Sequence, residues 1–296
     1  MVYSSPDALD FQLADCPALP APQRALLTTP AYFDVAYVIN PHMEGHAGTV
    51  NKDVAWQQWK ALRATYTALD FEPLVLDGVE GLPDMVFCAN QTLPYRRPNG
   101  TRGVVLSRMH APQRADEVAH YADFLGRHGY EVTPLPDAVD SDFEGMGDAI
   151  WHPNRYLLWG GYGFRTDRAA YEALAELLDV RVLALRLHDP DFYHLDTCFS
   201  VLSEDTVLIY PDAFDAASCD LIHALFANVL EAPGHEAREL FACNAHCPDG
   251  THVIIQEGCT GTNARLSAAG FVPVPVDTSE FLKSGGSVFC MKQMLF

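Results

Sequence analysis

The sequence predicts an α/β fold built from a repeated strand–helix unit. Three observations carry this: five helical patterns, short β-branched runs between them, and near-even spacing of the helix starts. The first helical pattern runs from Asp53 to Leu69, with Trp56, Trp59, Leu62, Tyr66 and Leu69 at helical spacing. It follows YFDVAYVIN, residues 32–40, which reads as a strand. Further helices are expected in ADEVAHYADFLGRHG, DRAAYEALAELL and AASCDLIHALFANVL, with a short one from Asn263 to Ala269. The runs PLVLDG, GVVLSR, YLLWGG, VRVLALRL, TVLIYP, HVIIQ and FVPVPV separate them and carry strand-type residues. Helix starts near 53, 114, 167, 215 and 259 are roughly 45 to 60 residues apart. An open parallel sheet with ordinary crossovers shows a similar rhythm, so the spacing alone leaves both arrangements open.

Residues 1–31, with the Pro- and Ala-rich CPALPAPQR, are expected to form an irregular N-terminal arm, and residues 32–296 a single domain. No Gly/Ser linker or low-complexity tract interrupts the latter. Hydrophobic residues at 49% against 20% charged leave ample apolar surface for a core. A formal charge of −20 repels phosphate backbones and anionic lipid, which argues against nucleic-acid and membrane partners. A cationic substrate is attracted instead. No apolar run reaches the ~20 residues of a membrane-spanning helix, and the first residues lack the basic and apolar regions of a signal peptide. The expected location is cytoplasmic. Eight cysteines scattered through the chain fit free thiols in a reducing compartment. Homo-oligomerisation is left open.

Several short segments could carry chemistry. Cys290 follows the glycine turn of KSGGSVFC, where backbone without Cβ atoms lets a substrate approach closely; taken alone, a cysteine is more often a small buried hydrophobe. In HLDT, a strand would place His194 and Asp196 on one face, an imidazole and a carboxylate aimed at one cleft. FEGMGD interleaves Glu144 and Asp148 with glycines; a sharp turn there could bring Glu144 inward while Asp148 orients a neighbour. PDMVFCAN ends in Asn90, and YVIN in Asn40. Asn40, Asn90, Glu144, His194 and Cys290 are separated by 50, 54, 50 and 96 residues, and Asn244 lies 50 residues beyond His194. That interval suits one polar residue at an equivalent strand end in each of several repeated units. Cys243, His246, Cys247 and His252 do not match zinc-ligand spacing, and CTGTNAR lacks the Gly-Lys-Ser/Thr ending of a phosphate loop. Neither a metal nor a cofactor is expected.

Taken in order, YVINPHM, PDMVFCAN, FEGMGD, HLDT and GGSVFC resemble the guanidino-group-modifying superfamily of arginine deiminases, dimethylargininases and amidinotransferases, over roughly residues 32–296. The resemblance implies a five-bladed α/β-propeller of ββαβ units around a central active site, a small cationic guanidino substrate, and no cofactor. It makes Cys290 the nucleophile, His194 the general acid/base, Glu144 a guanidinium-binding partner in proton transfer, and Asp196 a second guanidinium ligand. Arg114 in SRMHAPQR and Arg165 in GGYGFRTD resemble α-carboxylate clamps, a task suited to bidentate arginine. Asn90, Asn40, Asp84, Phe87, Asp148 and Gly145 complete the implied substrate-binding set. Asn90 stands where deiminases and dimethylargininases commonly carry an acid, and with the Asn-Pro of YVINPHM this resembles the arginine dihydrolase branch. His42 departs from the Trp expected after Asn-Pro, and RRPNGTRG resembles an insertion. A Cys-His amidase or peptidase shares the thiol and imidazole but needs no guanidinium carboxylates, and a non-catalytic binding protein could use the same fold.

Overall fold

The computed structural model describes residues 1–136 and 140–296. Its strands fall into five small sheets. Four share one plan: a leading strand antiparallel to a middle strand, which is parallel to an outer strand, with a helix joining middle to outer. Thr92–Arg96, Arg102–Leu106 and Glu131–Thr133 form one such sheet around helix Glu117–Arg127. Ala149–Trp151, Leu157–Tyr162 and Arg181–Arg186 form the next, around helix Arg168–Leu178. Phe199–Val201, Thr206–Ile209 and Asn228–Glu231 follow, around helix Ala216–Leu225. In the remaining unit of this plan, the leading strand Gln293–Leu295 comes from the C-terminus. It pairs with Arg24–Thr28, which lies beside Glu72–Leu76 across helix Lys52–Ala68. The fifth sheet, His252–Gln256 with Val272–Val276 around helix Thr260–Ala268, has only the antiparallel bridge His246–Ile254 in place of a leading strand.

Local chemistry explains the boundaries. Asn51 caps helix Lys52–Ala68 by accepting from the Val54 N–H, satisfying one of the donors a helix start leaves free. Its buried stripe is Ala55, Trp59, Leu62 and Tyr66, and the chain turns away at Asp70 with φ 62°. Asp215 caps helix Ala216–Leu225 in the same way. That helix stops at Leu225, five residues short of the helical pattern expected there, because Asn228–Glu231 is taken into the sheet beside Thr206–Ile209.

Two expectations are corrected near the N-terminus. Residues 32–40 form no strand: Phe33 and Val35 are buried while Tyr32 and Val38 are exposed, so the alternation marks a crossing segment with no neighbour to pair. The strand of that unit is Arg24–Thr28, inside the stretch expected to be an irregular arm. The start of the arm is tied down as well, since Val2–Tyr3 extends the sheet of Ala149–Trp151, Leu157–Tyr162 and Arg181–Arg186 by pairing with Val182–Leu183. RRPNGTRG is the hairpin turn between Thr92–Arg96 and Arg102–Leu106.

Candidate active site

The chemically interesting side chains cluster just upstream of the leading strands: Asn90 before Thr92, Glu144 and Asp148 before Ala149, His194 and Asp196 before Phe199, Asn244 before His246, and Cys290 before Gln293. Each connection is hydrogen-bonded to the next and the last to the first. The Ala89 N–H donates to the Cys290 carbonyl, and Met146 N–H to the Ala89 carbonyl. Leu195 N–H donates to Asp148, Asn244 Nδ2 to the Asp196 carbonyl, and Phe289 N–H to the Asn244 carbonyl. Asn40 is the exception to the interval argument, because it lies between Arg24–Thr28 and its helix. It reaches the site through the loop, donating to the Ser284 carbonyl at 3.1 Å.

Cys290 is held by Asn244. One side-chain oxygen accepts from the N–H groups of Ser287, Phe289 and Cys290 at 3.1, 3.0 and 3.2 Å, which winds the turn carrying the thiol. The Asn244 amide donates to Cys290 Sγ at 3.1 Å, and the thiol donates to Asp196 Oδ2 at 3.2 Å. Burial, reinforced by Asp196, pushes the Cys290 thiol up. Burial likewise pushes the Asp196 carboxyl up to about 7, against the pull of the Cys290 hydrogen bond and of Lys292. Its Oδ1 has no hydrogen-bond partner. Two glycines shape the approach: Gly285 has φ 82°, and a Cβ at Gly286 would sit 2.3 Å from the Phe87 ring.

His194 and Asp196 are not on a strand. His194 is the extended residue that starts a single 3₁₀ turn, Leu195–Thr197, and the turn, rather than strand alternation, brings both side chains inward. His194 Nε2 meets Glu144 Oε2 at 2.6 Å. Glu144 also accepts from the His110 N–H at 3.1 Å and from Arg165 at 3.3 Å. Burial disfavours its charge, but the His194 hydrogen bond, with the charges of His194, Arg165 and Arg114, holds its carboxyl at about 2. Asp148 accepts from Thr166 Oγ1 at 2.7 Å and from Leu195 N–H at 2.9 Å, so it orients the histidine turn. Burial pushes its carboxyl up to about 7. Gly145, at φ 55°, must be glycine, since a Cβ would lie 2.7 Å from the carbonyl oxygens of Asn90 and Thr92.

Arg114 is fully embedded. It donates to Glu117, to the carbonyls of Asp84 and Phe87, and to Asn90 Oδ1 at 3.0 Å. Because Asn90 Oδ1 is taken, its Nδ2 is a buried donor without a partner. Asp84 accepts from Ser284 Oγ at 3.0 Å, and burial raises its carboxyl. Arg165 spans Glu144 and the Ile39 carbonyl while stacking on Tyr193, 4.9 Å from the ring centre. Asn40, Asp84, Phe87, Asn90, Arg114, Arg165, His194 and Cys290 line one pocket; Glu144, Gly145, Asp148 and Asp196 are not among its lining residues. The pocket holds about 20 Å³, room for about one water. A substrate the size of arginine therefore requires the lining of the pocket to yield.

Sequence reasoning gave Asn244 a place but no role, and it passed over Tyr193, Glu117 and Lys292. Elsewhere, Cys243 packs in the core, His246 bonds Tyr66, and His252 bonds Asp249. No His/Cys/Asp/Glu grouping able to hold a metal ion occurs among the described residues, nor does any helix among them have the length and apolarity to cross a membrane.

The family profile described as N,N dimethylarginine dimethylhydrolase, eukaryotic, matches residues 40–296. The chain belongs to this family. Within it, the N(G),N(G)-dimethylarginine dimethylaminohydrolase of Mycobacterium tuberculosis is 40% identical over 92% of the chain and 85% of the relative. The bifunctional arginine dihydrolase/ornithine cyclodeaminase ArgZ of Synechocystis is 38% identical over 90% of the chain, which spans 37% of that longer relative. The N-terminal domain of ArgZ, an arginine dihydrolase solved with substrate bound, superposes with a TM-score of 0.85 at 36% identity, covering 92% of this chain and 97% of that domain. The same domain has been solved covalently bound to a reaction intermediate. The guanidino-modifying family resemblance therefore holds, with arginine dihydrolases among its near relatives. The protein is a hydrolase of the C–N bonds of guanidino groups.

Proposed function

We propose that the substrate is L-arginine and that the enzyme carries it to L-ornithine, CO₂ and two NH₃, taking up two waters, through an S-amidino adduct on Cys290. The observation that carries this reading is Asn90, whose unpartnered Nδ2 stands in the wall of the pocket that holds Cys290. A carboxylate there would suit a cation only; an amide can hold the neutral ureido group of citrulline as well. The five hydrogen-bonded connections and the repeated ββαβ plan further support a five-bladed α/β-propeller with this pocket on its axis.

The guanidinium carbon is a poor electrophile because its charge is delocalised, so a thiolate divides the reaction into two easier steps. A cation seated beside Cys290 lowers both the thiol and the Asp196 carboxyl, reversing the effect of burial. The Cys290 thiol gives its proton to His194 as the sulfur bonds to the carbon, and His194, paired with ionised Glu144, passes that proton to the departing ammonia. His194 next takes a proton from water, whose oxygen replaces sulfur and yields citrulline. A second pass on the retained citrulline expels the second NH₃ and leaves an S-carbamoyl adduct, whose hydrolysis gives the N-carboxylated form of ornithine, which loses CO₂ to ornithine. Arg165 and the remaining donor of Arg114 are the groups within the pocket that suit the α-carboxylate.

The family profile and the mycobacterial relative favour a second reading, dimethylarginine to citrulline and dimethylamine. Incubation with arginine, citrulline and dimethylarginine, with products separated, decides between them. The dihydrolase reading requires ornithine and two ammonia from each arginine, without urea. Citrulline as the final product, or turnover of dimethylarginine alone, overturns it. Asn90→Asp is expected to shift product from ornithine towards citrulline, and an unchanged product ratio in that variant counts against the role given to Asn90.

A further inference from the structure

Glu117 opens helix Glu117–Arg127, outside the motifs of the family resemblance, yet it is fully buried. Its carboxylate grips Arg114 along one edge. Oε1 and Oε2 accept from Arg114 Nε at 3.2 and 3.1 Å, and Oε2 also accepts from Nη2 at 2.9 Å. Gln91 Nε2 anchors the same Oε2 at 2.6 Å while donating to the Phe87 carbonyl at 3.1 Å. With that edge fixed, the rigid guanidinium fork aims its other end: Arg114 Nη1 donates to Asn90 Oδ1 at 3.0 Å. A guanidinium carries donors only, so it dictates which end of the Asn90 amide turns towards it. The oxygen faces Arg114, and Nδ2 is left as a buried donor with no partner. A Cβ at Gly147 would lie 2.3 Å from that Nδ2 and 3.7 Å from His194 Cγ, which puts the free donor near the catalytic imidazole. We infer that Glu117 is a positioning residue that acts through Arg114 on the Asn90 amide, and that the resulting orientation selects the neutral ureido intermediate for the second hydrolysis. The inference rests on the dihydrolase reading.

The two steps ask different things of the pocket. The guanidinium of arginine offers Nδ2 no acceptor and relies on carboxylates. The ureido group of citrulline carries a carbonyl oxygen that can accept from Nδ2, so the donor gains a partner only once the first ammonia has left. Freed from Arg114, the amide can flip. Its oxygen would then face the ureido carbonyl with no hydrogen between them, and citrulline would escape before the second attack. A Glu117 that only steadies Arg114 for the substrate α-carboxylate would act whether or not the Asn90 amide is present, which separates the two roles.

Glu117→Gln keeps the size of the side chain and removes its charge. The ratio of ornithine to citrulline formed from L-arginine by the full chain is read at about pH 8, where Glu117, raised to about 7 by burial against the pull of Arg114, is ionised. The ratio is expected to fall roughly tenfold in the variant, the discrimination one well-placed hydrogen bond supplies, while arginine consumption changes less. Glu117→Asp, which keeps the charge at shorter reach, should fall between the two and gives the same reading if the Gln variant does not fold. The deciding arm uses Asn90→Ala: on that background the Glu117 substitution should shift the ratio no further. An unchanged ratio in a folded Glu117 variant, or an equal further shift on the Asn90→Ala background, overturns the inference. Failure of the dihydrolase reading has a different signature: the unsubstituted protein then yields no ornithine, and this inference falls with it.

Discussion

Asn244 shows how much of the site a single side chain can hold. Its oxygen collects three backbone N–H groups from the nucleophile turn, and its amide reaches the thiol. Asn244→Ala takes the acceptor from the Ser287 and Cys290 N–H groups, while Phe289 keeps the Asn244 carbonyl, at ~1–3 kcal/mol for each unsatisfied group, so both melting temperature and kcat should fall steeply. Asn244→Asp keeps the acceptor but sets a negative charge beside the sulfur, raising the thiol further. It should therefore fold better than Asn244→Ala and yet recover little activity, as thermal melts and steady-state rates would reveal. Equal stability of the two variants would contradict this division of labour. Cys290, His194, Glu144 and Asp196 were legible through their order along the chain, because residue types that suit guanidinium chemistry recur at near-constant intervals. Their partnerships were not legible. Glu144 is occupied by His194, Arg165 and the His110 N–H, which leaves less of it free for a guanidinium than the family resemblance implies. Arg114 is largely spent on Glu117 and Asn90, a commitment that no local pattern announces.

At the scale of elements, the helices were readable because an apolar stripe at helical spacing extends over three to five turns. The single-turn elements that carry chemistry, Gly145–Asp148 and Leu195–Thr197, are too short to show any period, which is why HLDT reads as a strand. Arg24–Thr28 escaped for another reason: covered on both faces, RALLT has no alternation, and prolines precede it. The glycine turn before Cys290 was legible, and its geometry makes a sharp prediction. Gly286→Ala places a methyl against Phe87, whose ring is wedged edge-on against Phe33 and Phe281. The expected cost is ~1–3 kcal/mol of stability with a raised KM, measured by denaturant melts and initial rates. A variant with wild-type stability and KM would mean the turn is not held as described.

The whole molecule concentrates buried carboxyls around one point, and its stability should follow their protons. Burial raises Asp148, Asp196 and Glu117 to about 7 in the folded state, against about 4 in an unfolded chain. Between those values the unfolded chain has lost protons that the folded one retains, so stability falls as pH rises from about 4 to about 7. Glu144, held at about 2, works in the opposite sense, and its contribution is lost as pH drops from about 4 towards 2. His152, held at about 4, and His246, lowered by burial, work against this fall below about pH 6.5. The carboxyl contribution is therefore read from a variant: Glu117→Gln should flatten the pH dependence of the melting temperature between about pH 5 and about pH 7 relative to the unsubstituted protein, and an unchanged slope would refute the assignment. The repeat rhythm of the whole chain was visible in the sequence. Closure of its first unit by the C-terminal strand was not, because pairing across such a separation leaves no local trace.

The central claim is that Cys290 attacks the guanidino carbon of arginine. Acid quenching of the enzyme during turnover of L-arginine, followed by intact-mass and peptide analysis, tests it most directly. The account predicts an adduct of arginine less ammonia on Cys290, absent from Cys290→Ser, which should be inactive. Turnover of arginine by Cys290→Ser, or an adduct on any other cysteine, would contradict it.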